Sequence, residues 1–376
     1  MVCLARPLLW LAVAKLREYQ AKRDFGKTPE PKGETAKRRR AADGDEVASG
    51  RFVVQEHDAR NLHWDLRLEH EGAALSWALP RGVPQLPDRS ANRLAVRTED
   101  HPLEYLEFEG EIPKGEYGAG TMRIWDRGTY SAEKLRDDEV IAAFAGERMS
   151  GRYALFQTGG KNWMIHRMDP PLDPEREPMP DDLRPMLPRR GELPKDEAAH
   201  GFEIAWGGLR TLVWCEPGHI RKAESRGVDD TVERFPELRR LARALGSTEA
   251  VLDGEIVVLG ENGSPDAGAL RERKQAGSES ASRRLSERRR ATLMIFDLLF
   301  LDGHDTTGLS YEERRERLEE LALEGDAWQT PAYHRGEGAA LLEAAGQRGL
   351  AGLLAKRLDS PYEPGRRSGA WIKVEP

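Results

Sequence analysis

A chain of 376 residues is too long for one ordinary core and suits two domains plus connectors, at roughly 100–200 residues each. It is 39% hydrophobic and 33% charged, and its two cysteines, Cys3 and Cys215, have no CxxC or Cys/His spacing; a disulfide framework and a thiolate zinc site find no support, and a reducing cytoplasm fits. The net charge of −7 argues weakly against nucleic acid as partner, although phosphate contacts need only a local basic surface.

In chain order, the segment MVCLARPLLWLAVAK places an apolar stretch, Pro7 to Ala14, behind Arg6. It is shorter than the about 20 residues of a bilayer span, is marginal as a signal-peptide core, and is followed by a basic segment atypical of a cleavage site. A start codon placed too early, with the protein beginning near Lys15, explains it equally well, and the chain reads as soluble, cytoplasmic (nucleoid-associated) and without membrane contact. Residues 1–48 read as a flexible basic arm: Lys15 to Lys32 is rich in Lys and Arg, and Lys37 to Arg40 is an unbroken basic run. Such runs are often solvated tails.

From Arg51 to Met168, short alternating runs (RFVVQEHD, NLHWDLRLE, ALSWALPRG, RLAVRTED, EYLEFEGEI, GTMRIWDRGTYSAE, GRYALFQTG, NWMIHRM) are separated by turn signals. Many short strands at this spacing predict an antiparallel β-barrel or sandwich over 49–168, with one helix around Ala132 to Ala145. Pro170 to Pro194 holds eight prolines, which predicts an extended linker over 169–200. Over 201–376, strand-like runs such as AVLDGEIVVL and ATLMIFDLLFLDG mix with helices at Phe235–Leu245, Tyr311–Ala322 and Glu337–Gln347, predicting an α+β domain.

The stretch from His57 to Glu69 carries the chemistry. If Leu62 to Glu69 is a strand, His63, Asp65, Arg67 and Glu69 share one face and Trp64, Leu66 and Leu68 the other. His57, on the strand before the turn, reaches the same patch. Two imidazoles and a carboxylate suit a divalent transition metal with positions left open for substrate, and the planar fork of Arg67 suits a phosphate. Together they point to phosphoryl chemistry; the alternative is a polar barrel face with two satisfied histidines. A second cluster, Arg93 and then Glu99 to Tyr105, adds His101 and Tyr105 at a strand end.

These stretches, with RDFGKTPEP, FEGEIPKGEYGAG and NWMIHRMD, resemble the 3′-phosphoesterase domain of the bacterial ligase D proteins of non-homologous end joining. The resemblance implies a small β-barrel and a manganese-type metal (Mn2+ or another divalent transition metal). It also implies removal of 3′-ribonucleosides and 3′-phosphates from DNA 3′ ends at double-strand breaks or primer-template junctions. Carried over residue by residue, His57, His63 and Asp65 match the metal ligands. Gln55, Arg67, Arg93, His101 and Tyr105 match the phosphate-binding and catalytic set, and Arg23, Asp24 and Glu30 match an arm over the active site. Arg81 stands where a lysine is usual.

After the linker, the motifs LDGEI (Leu252–Ile256), FDLL (Phe296–Leu299), GLLAKR (Gly352–Arg357) and WIKV (Trp371–Val374) resemble, in order, the adenylation domain of ATP-dependent DNA ligases, an ATP-grasp-like α+β nucleotidyltransferase. The resemblance maps Arg210, Glu255, Phe296, Lys356 and Lys373 onto its nucleotide site. Active members carry K-x-D-G-x-R, whose lysine attacks the α-phosphate of ATP. Here Ala205 holds the lysine position and Gly207 the aspartate position, so the nucleophile is missing. Ala351 replaces the metal-binding glutamate of the fourth motif and Glu375 the second lysine of the fifth. Neither Lys222 nor Lys356 sits at the right point of a strand to substitute. The chain ends at Pro376, before any oligonucleotide-binding clamp domain.

Three readings follow: an active 3′-phosphoesterase with a pseudo-ligase domain, in which ATP does not react and whose expected partners are DNA ends, Ku and other end-joining proteins; a functional ATP-dependent DNA ligase; and a non-catalytic DNA-binding scaffold in end joining. Ala205 tells against the second and the His57/His63/Asp65 set against the third.

Overall fold

The computed structural model describes residues 16–33 and 48–376. The apolar Pro7–Ala14 segment and the Lys37–Arg40 run lie outside the described residues. The chain divides into two compact units between Pro174 and Glu175, and no helix among the described residues is long and apolar enough to cross a membrane.

The first unit is a closed antiparallel barrel. Its strands are β1 (Ser49–Asp58), β2 (Leu62–His70), β3 (Ala73–Leu79), β4 (Arg93–Arg97), β5 (Gly110–Ile112), β6 (Gly120–Leu135), β7 (Glu139–Ala145), β8 (Ser150–Gly159) and β9 (Asn162–Arg167). The order β1-β2-β3-β4-β9-β8-β7-β6 closes through a second pairing of β1 with β6, and β5 adds beside β6. Closure leaves none of these eight strands with an open edge. Period-2 alternation sends Phe52, Val54, Trp64, Leu66, Trp77 and Ile165 into a core to which all eight strands contribute. The outward faces of β1, β2 and β3 are covered by a turn of 3₁₀ helix (Leu103–Glu107) and by residues 16–33, which begin in the short helix Arg17–Ala21.

Three expectations are corrected here. Ala132 to Ala145 is not a helix: it is the end of β6 and the whole of β7, with a bulge between Ala132 and Lys134 and a turn at Arg136–Asp138. The Ala-rich composition favours helix, but Val140, Ala142 and Phe144 alternate into the core, and strand pairing outweighs propensity. Glu104 to Ile112 is not one strand: it leaves the 3₁₀ turn after Glu107, and only Gly110–Ile112 is in the sheet. Residues 16–33 are not a free arm, since Tyr19 is fully buried against Tyr105 and Met122.

The second unit holds two sheets. The five-stranded sheet uses β10 (Leu187–Arg190), β11 (His200–Ile204), β19 (His334–Arg335), β20 (Leu353–Arg357) and β21 (Arg367–Val374), in the order β10-β21-β20-β11-β19. The seven-stranded sheet uses β12 (Leu209–Glu216), β13 (His219–Ser225), β14 (Ala250–Val258), β15 (Ala291–Leu301), β16 (His304–Asp305), β17 (Glu324–Gly325) and β18 (Trp328–Gln329). One face of the larger sheet packs Val213, Leu252 and Leu293 under a layer of helices that includes the 3₁₀ turn Pro236–Arg239, the helix Arg240–Ala244 and the helix Ala267–Lys274. Its other face joins the smaller sheet through Trp214, Phe296, Tyr362 and Trp371. The expected linker over 169–200 is narrowed: from Glu175 onward the chain belongs to this unit, with Met186 fully buried and β10 paired to β21. Proline removes a donor but tolerates an edge position, which is where Pro188 sits.

Candidate active site

The hairpin β1–β2 sets His57 directly opposite His63 and Gln55 opposite Asp65. A bulge in the β1–β6 ladder falls between Val54 and Gln55, where the polar side chains begin. The ligand atoms of His57, His63 and Asp65 lie within 4.8 Å of one another. Each imidazole gives its other ring N–H to a backbone carbonyl: His57 Nε2 donates to Gly118 O at 2.8 Å, and His63 Nδ1 donates to Asn61 O at 3.0 Å. These bonds fix the tautomers. They leave His57 Nδ1 at 3.7 Å and His63 Nε2 at 3.8 Å from the Asp65 carboxylate. Three lone-pair donors therefore face one another with no hydrogen between them, an arrangement that a borderline divalent cation satisfies. His57 and Asp65 are buried, while the His63 side chain keeps 23% of its surface. Burial alone would raise the Asp65 carboxyl, but the Arg67 charge beside it holds it well below the usual carboxylate range.

Arg67 does not present a free fork to solvent. It is 2% exposed, donates from Nε to Gln55 Oε1 at 2.7 Å, from Nη1 to Ser76 Oγ at 2.9 Å and from Nη2 to Asp65 Oδ2 at 2.9 Å, and lies under the Tyr105 ring. Gln55 is fully buried and spends its amide N–H groups on the carbonyls of Tyr105 and Phe108. Both residues brace the pocket from beneath. Behind them His101 Nδ1 donates to Glu99 O at 2.8 Å, with Ser76 Oγ at 3.2 Å. Burial, reinforced by the Arg67 and Arg23 charges, lowers the His101 pKa well below the ordinary imidazole value, so the ring is neutral.

Residues 16–33 complete the cover. Glu30 accepts from Arg23 Nε, Tyr105 Oη and Thr28 Oγ1, each at 2.8 Å. Arg23 also donates to Glu99 at 3.2 Å and approaches His101 Nε2 at 3.4 Å. Burial pushes the Tyr105 phenol well above its ordinary pKa, with Glu30 adding to the effect. Asp24 is not gathered in: it is exposed, capping Gly26 N and pairing with Lys27 at 3.0 Å. Arg81 is exposed just after β3, and Arg93 is half-buried at the head of β4, opposite Ile165. Sequence reasoning gave no role to Ser76 or Glu99, although a lone serine in the apolar run of β3 was the signal available for the first.

In the second unit the mapped residues do converge, between the two sheets. Arg210 makes a two-pronged pair with Asp253, which also accepts from Tyr362 Oη at 2.6 Å, and the guanidinium lies over Phe296. Glu255 is raised above its ordinary value by burial, against the opposing pull of Arg210 and of the backbone N–H groups of Gly208 and Trp206. Ala205 presents a methyl just past β11, its backbone N–H donating to Gly352 O at 2.9 Å. Gly207 takes φ +69° beside Ala351, and a Cβ on Gly208 would lie 2.3 Å from Ile256 O. Lys356 is fully buried, 2.7 Å from Glu203, with its ammonium over Phe296 and Trp371. Lys373 is half-exposed beside Glu375 at 3.5 Å.

Comparison with known proteins agrees with this division. The family model described as the DNA Ligase D 3′-phosphoesterase domain matches residues 55–157, and that of the ATP dependent DNA ligase domain matches 189–375. The "Multifunctional non-homologous end joining protein LigD" of Mycolicibacterium smegmatis is 40% identical over 371 residues, 96% of this chain and 45% of that protein. The Pseudomonas aeruginosa protein of the same name is 35% identical over 414 residues, 96% of this chain and 47% of its own. The chain thus spans about half the length of the curated relatives it matches. Among solved structures, a mycobacterial DNA ligase D complexed with ATP and MES is 36% identical, covers 51% of this chain and 60% of its own, and has a TM-score of 0.44.

Proposed function

The chain belongs to the ligase D family, with the 3′-phosphoesterase domain ahead of the ligase domain, and on that footing we propose that its barrel is a metal-dependent DNA 3′-end phosphoesterase and its second unit a ligase domain that does not adenylate. The observation that carries the first half is the donor set of His57 Nδ1, His63 Nε2 and Asp65, aimed together by backbone carbonyls and by Arg67. These three residues would hold Mn2+ or another divalent transition metal, which supplies Lewis-acid polarisation of a phosphoryl group or an activated water. Arg67 keeps Asp65 ionised and aimed. His101, neutral and anchored through Nδ1, turns an unprotonated Nε2 toward Arg23 and is placed to hold a proton. Glu30 ties Arg23 and Tyr105 into one wall. The substrates on this reading are DNA 3′ ends carrying a phosphate or a terminal ribonucleoside, and the protein partners are end-joining factors such as Ku.

Ala205 carries the second half, because no amine stands at its place on the strand. The Lys356 amine is the buried one in the pocket. It belongs to β20 at a point opposite Gly201, four residues and roughly 13 Å of strand from Ala205. Its charge is held by Glu203. Lys222 lies on β13, bound to Glu224 and to the Asp181 carbonyl. A labelled duplex ending in a 3′-phosphate, incubated with the purified chain and manganese, should be dephosphorylated, and chelator should stop it. Undiminished release by Asp65→Ala would sink the assignment.

A further inference from the structure

We propose that the helical layer of the second unit, on the face of the seven-stranded sheet away from Phe296 and Trp371, is a binding surface for the phosphodiester backbone of duplex nucleic acid. The inference rests on the reading of the barrel as a DNA-end enzyme for its choice of polyanion. Segments 231–245 and 266–290 carry twelve Lys and Arg against six Asp and Glu, in a chain whose net charge is −7. The positive charge is therefore local to this layer and not a property of the whole surface.

The fold explains why these side chains point outward. Phe235, Leu238, Leu241 and Leu270 turn inward onto the sheet. The helix Glu279–Arg288 packs on the helices Thr231–Arg234 and Ala267–Lys274, with Ser282 as its buried residue. Part of the charge is neutralised internally. Arg273 is buried on Glu237 at 2.7 Å, and Arg283 and Arg239 share Glu279. Among the cations left over, Arg240, Arg271, Arg284 and Arg288 are exposed and Lys274 half-buried, and none of these five has a carboxylate within 4.0 Å among the described residues. Arg284 and Arg288 stand one helical turn apart, about 5–6 Å between Cβ atoms, on one side of their helix. Unpaired guanidiniums spread over three helices cost self-repulsion, which a polyanion relieves, and their planar forks fit phosphate oxygens.

The surface lies on the opposite side of the sheet from Ala205, so it is independent of adenylation. It would give a ligase domain without a nucleophile a present use, holding the duplex whose 3′ end the barrel processes. The test is anisotropy of a labelled blunt duplex with plain 3′-hydroxyl ends, titrated with the full chain between about 50 and 200 mM salt. The double variants Arg284→Glu/Arg288→Glu and Arg271→Glu/Lys274→Glu should each bind roughly tenfold more weakly at the low-salt end, with a salt slope shallower by about two counterions. Arg284→Gln/Arg288→Gln should move the same way by less. Asp65→Ala should bind this duplex unchanged while releasing no phosphate from a second duplex that ends in a 3′-phosphate. Duplex affinity and salt slope equal to the parent's in both reversed variants would overturn the proposal, as would equally effective competition by polyglutamate. A parent chain that binds through this face but releases no phosphate would instead overturn the reading of the barrel and leave the surface standing.

Discussion

Arg67 is the residue whose role changes most between sequence and structure. Its position in H-x-D-x-R suggested a fork for substrate phosphate; its enclosure by Gln55, Ser76, Asp65 and the Tyr105 ring makes it a brace for the Asp65 carboxylate. Removing it leaves a buried carboxylate uncompensated, so Arg67→Ala should weaken manganese binding about 10- to 100-fold, the range of lost outer-shell partners, along with activity. Calorimetric titration of the metal decides this: unchanged affinity with lost turnover would return Arg67 to the substrate. His101 yields a second prediction. Its folded pKa lies below the unfolded value of about 6.5, so below that pH the unfolded chain binds more protons and stability falls as the solution is acidified. The Asp65 contribution has the same sense but is lost only at much lower pH, below the ordinary carboxylate range. Denaturant midpoints of the barrel should therefore decline between pH 7 and 5, and His101→Gln should flatten that decline. A variant with the parent's slope would show that His101 does not titrate as its burial implies.

At the scale of elements, the cover of residues 16–33 matters because it contributes to the site and not to the barrel core. Deleting the chain through Pro31 removes Glu30 from Tyr105 and Arg23 from Glu99 and His101. Phosphate release should drop more than tenfold while the far-ultraviolet spectrum stays that of a β-barrel; full activity would return these residues to a solvated tail. The start of β6 and the loop before it make a separate claim. Gly120 has φ +150°, and a Cβ there would meet Asp58 O at 2.4 Å. The same loop supplies the Gly118 carbonyl that orients His57. Gly120→Ala should cost about 2 kcal/mol or more and weaken metal binding together with stability. The strands β1 and β2 and the His57/His63/Asp65 face were readable from period-2 alternation, because that signal is local. Burial of Arg67 and Gln55 was not, since it depends on a cover from distant chain. The helices Ala267–Lys274 and Glu279–Arg288 were missed for another reason: the first shows little apolar periodicity, and the second is amphipathic but marks its inner face with only Ala281 and Leu285.

The whole molecule combines a barrel that carries the His57/His63/Asp65 donor set with a ligase domain in which Ala205 stands just past β11. Phe296, Trp371 and the Arg210–Asp253 pair survive between the sheets, yet Ala205, Gly207 and Ala351 line one edge of that space with a methyl, a hydrogen and a methyl. Restoring one group is not enough: Ala205→Lys should form little or no protein–AMP, because Gly207, Ala351 and Glu375 still differ from the active pattern. A strong adenylate band from that variant would show the remaining pocket to be competent. The most direct measurement runs both halves in one tube, with the purified chain, manganese, α-labelled ATP and a duplex ending in a labelled 3′-phosphate. The expected result is chelator-sensitive release of phosphate, lost in Asp65→Ala, with no label on the protein. A labelled protein–AMP band from the unaltered chain, or release that survives both chelator and Asp65→Ala, would contradict it.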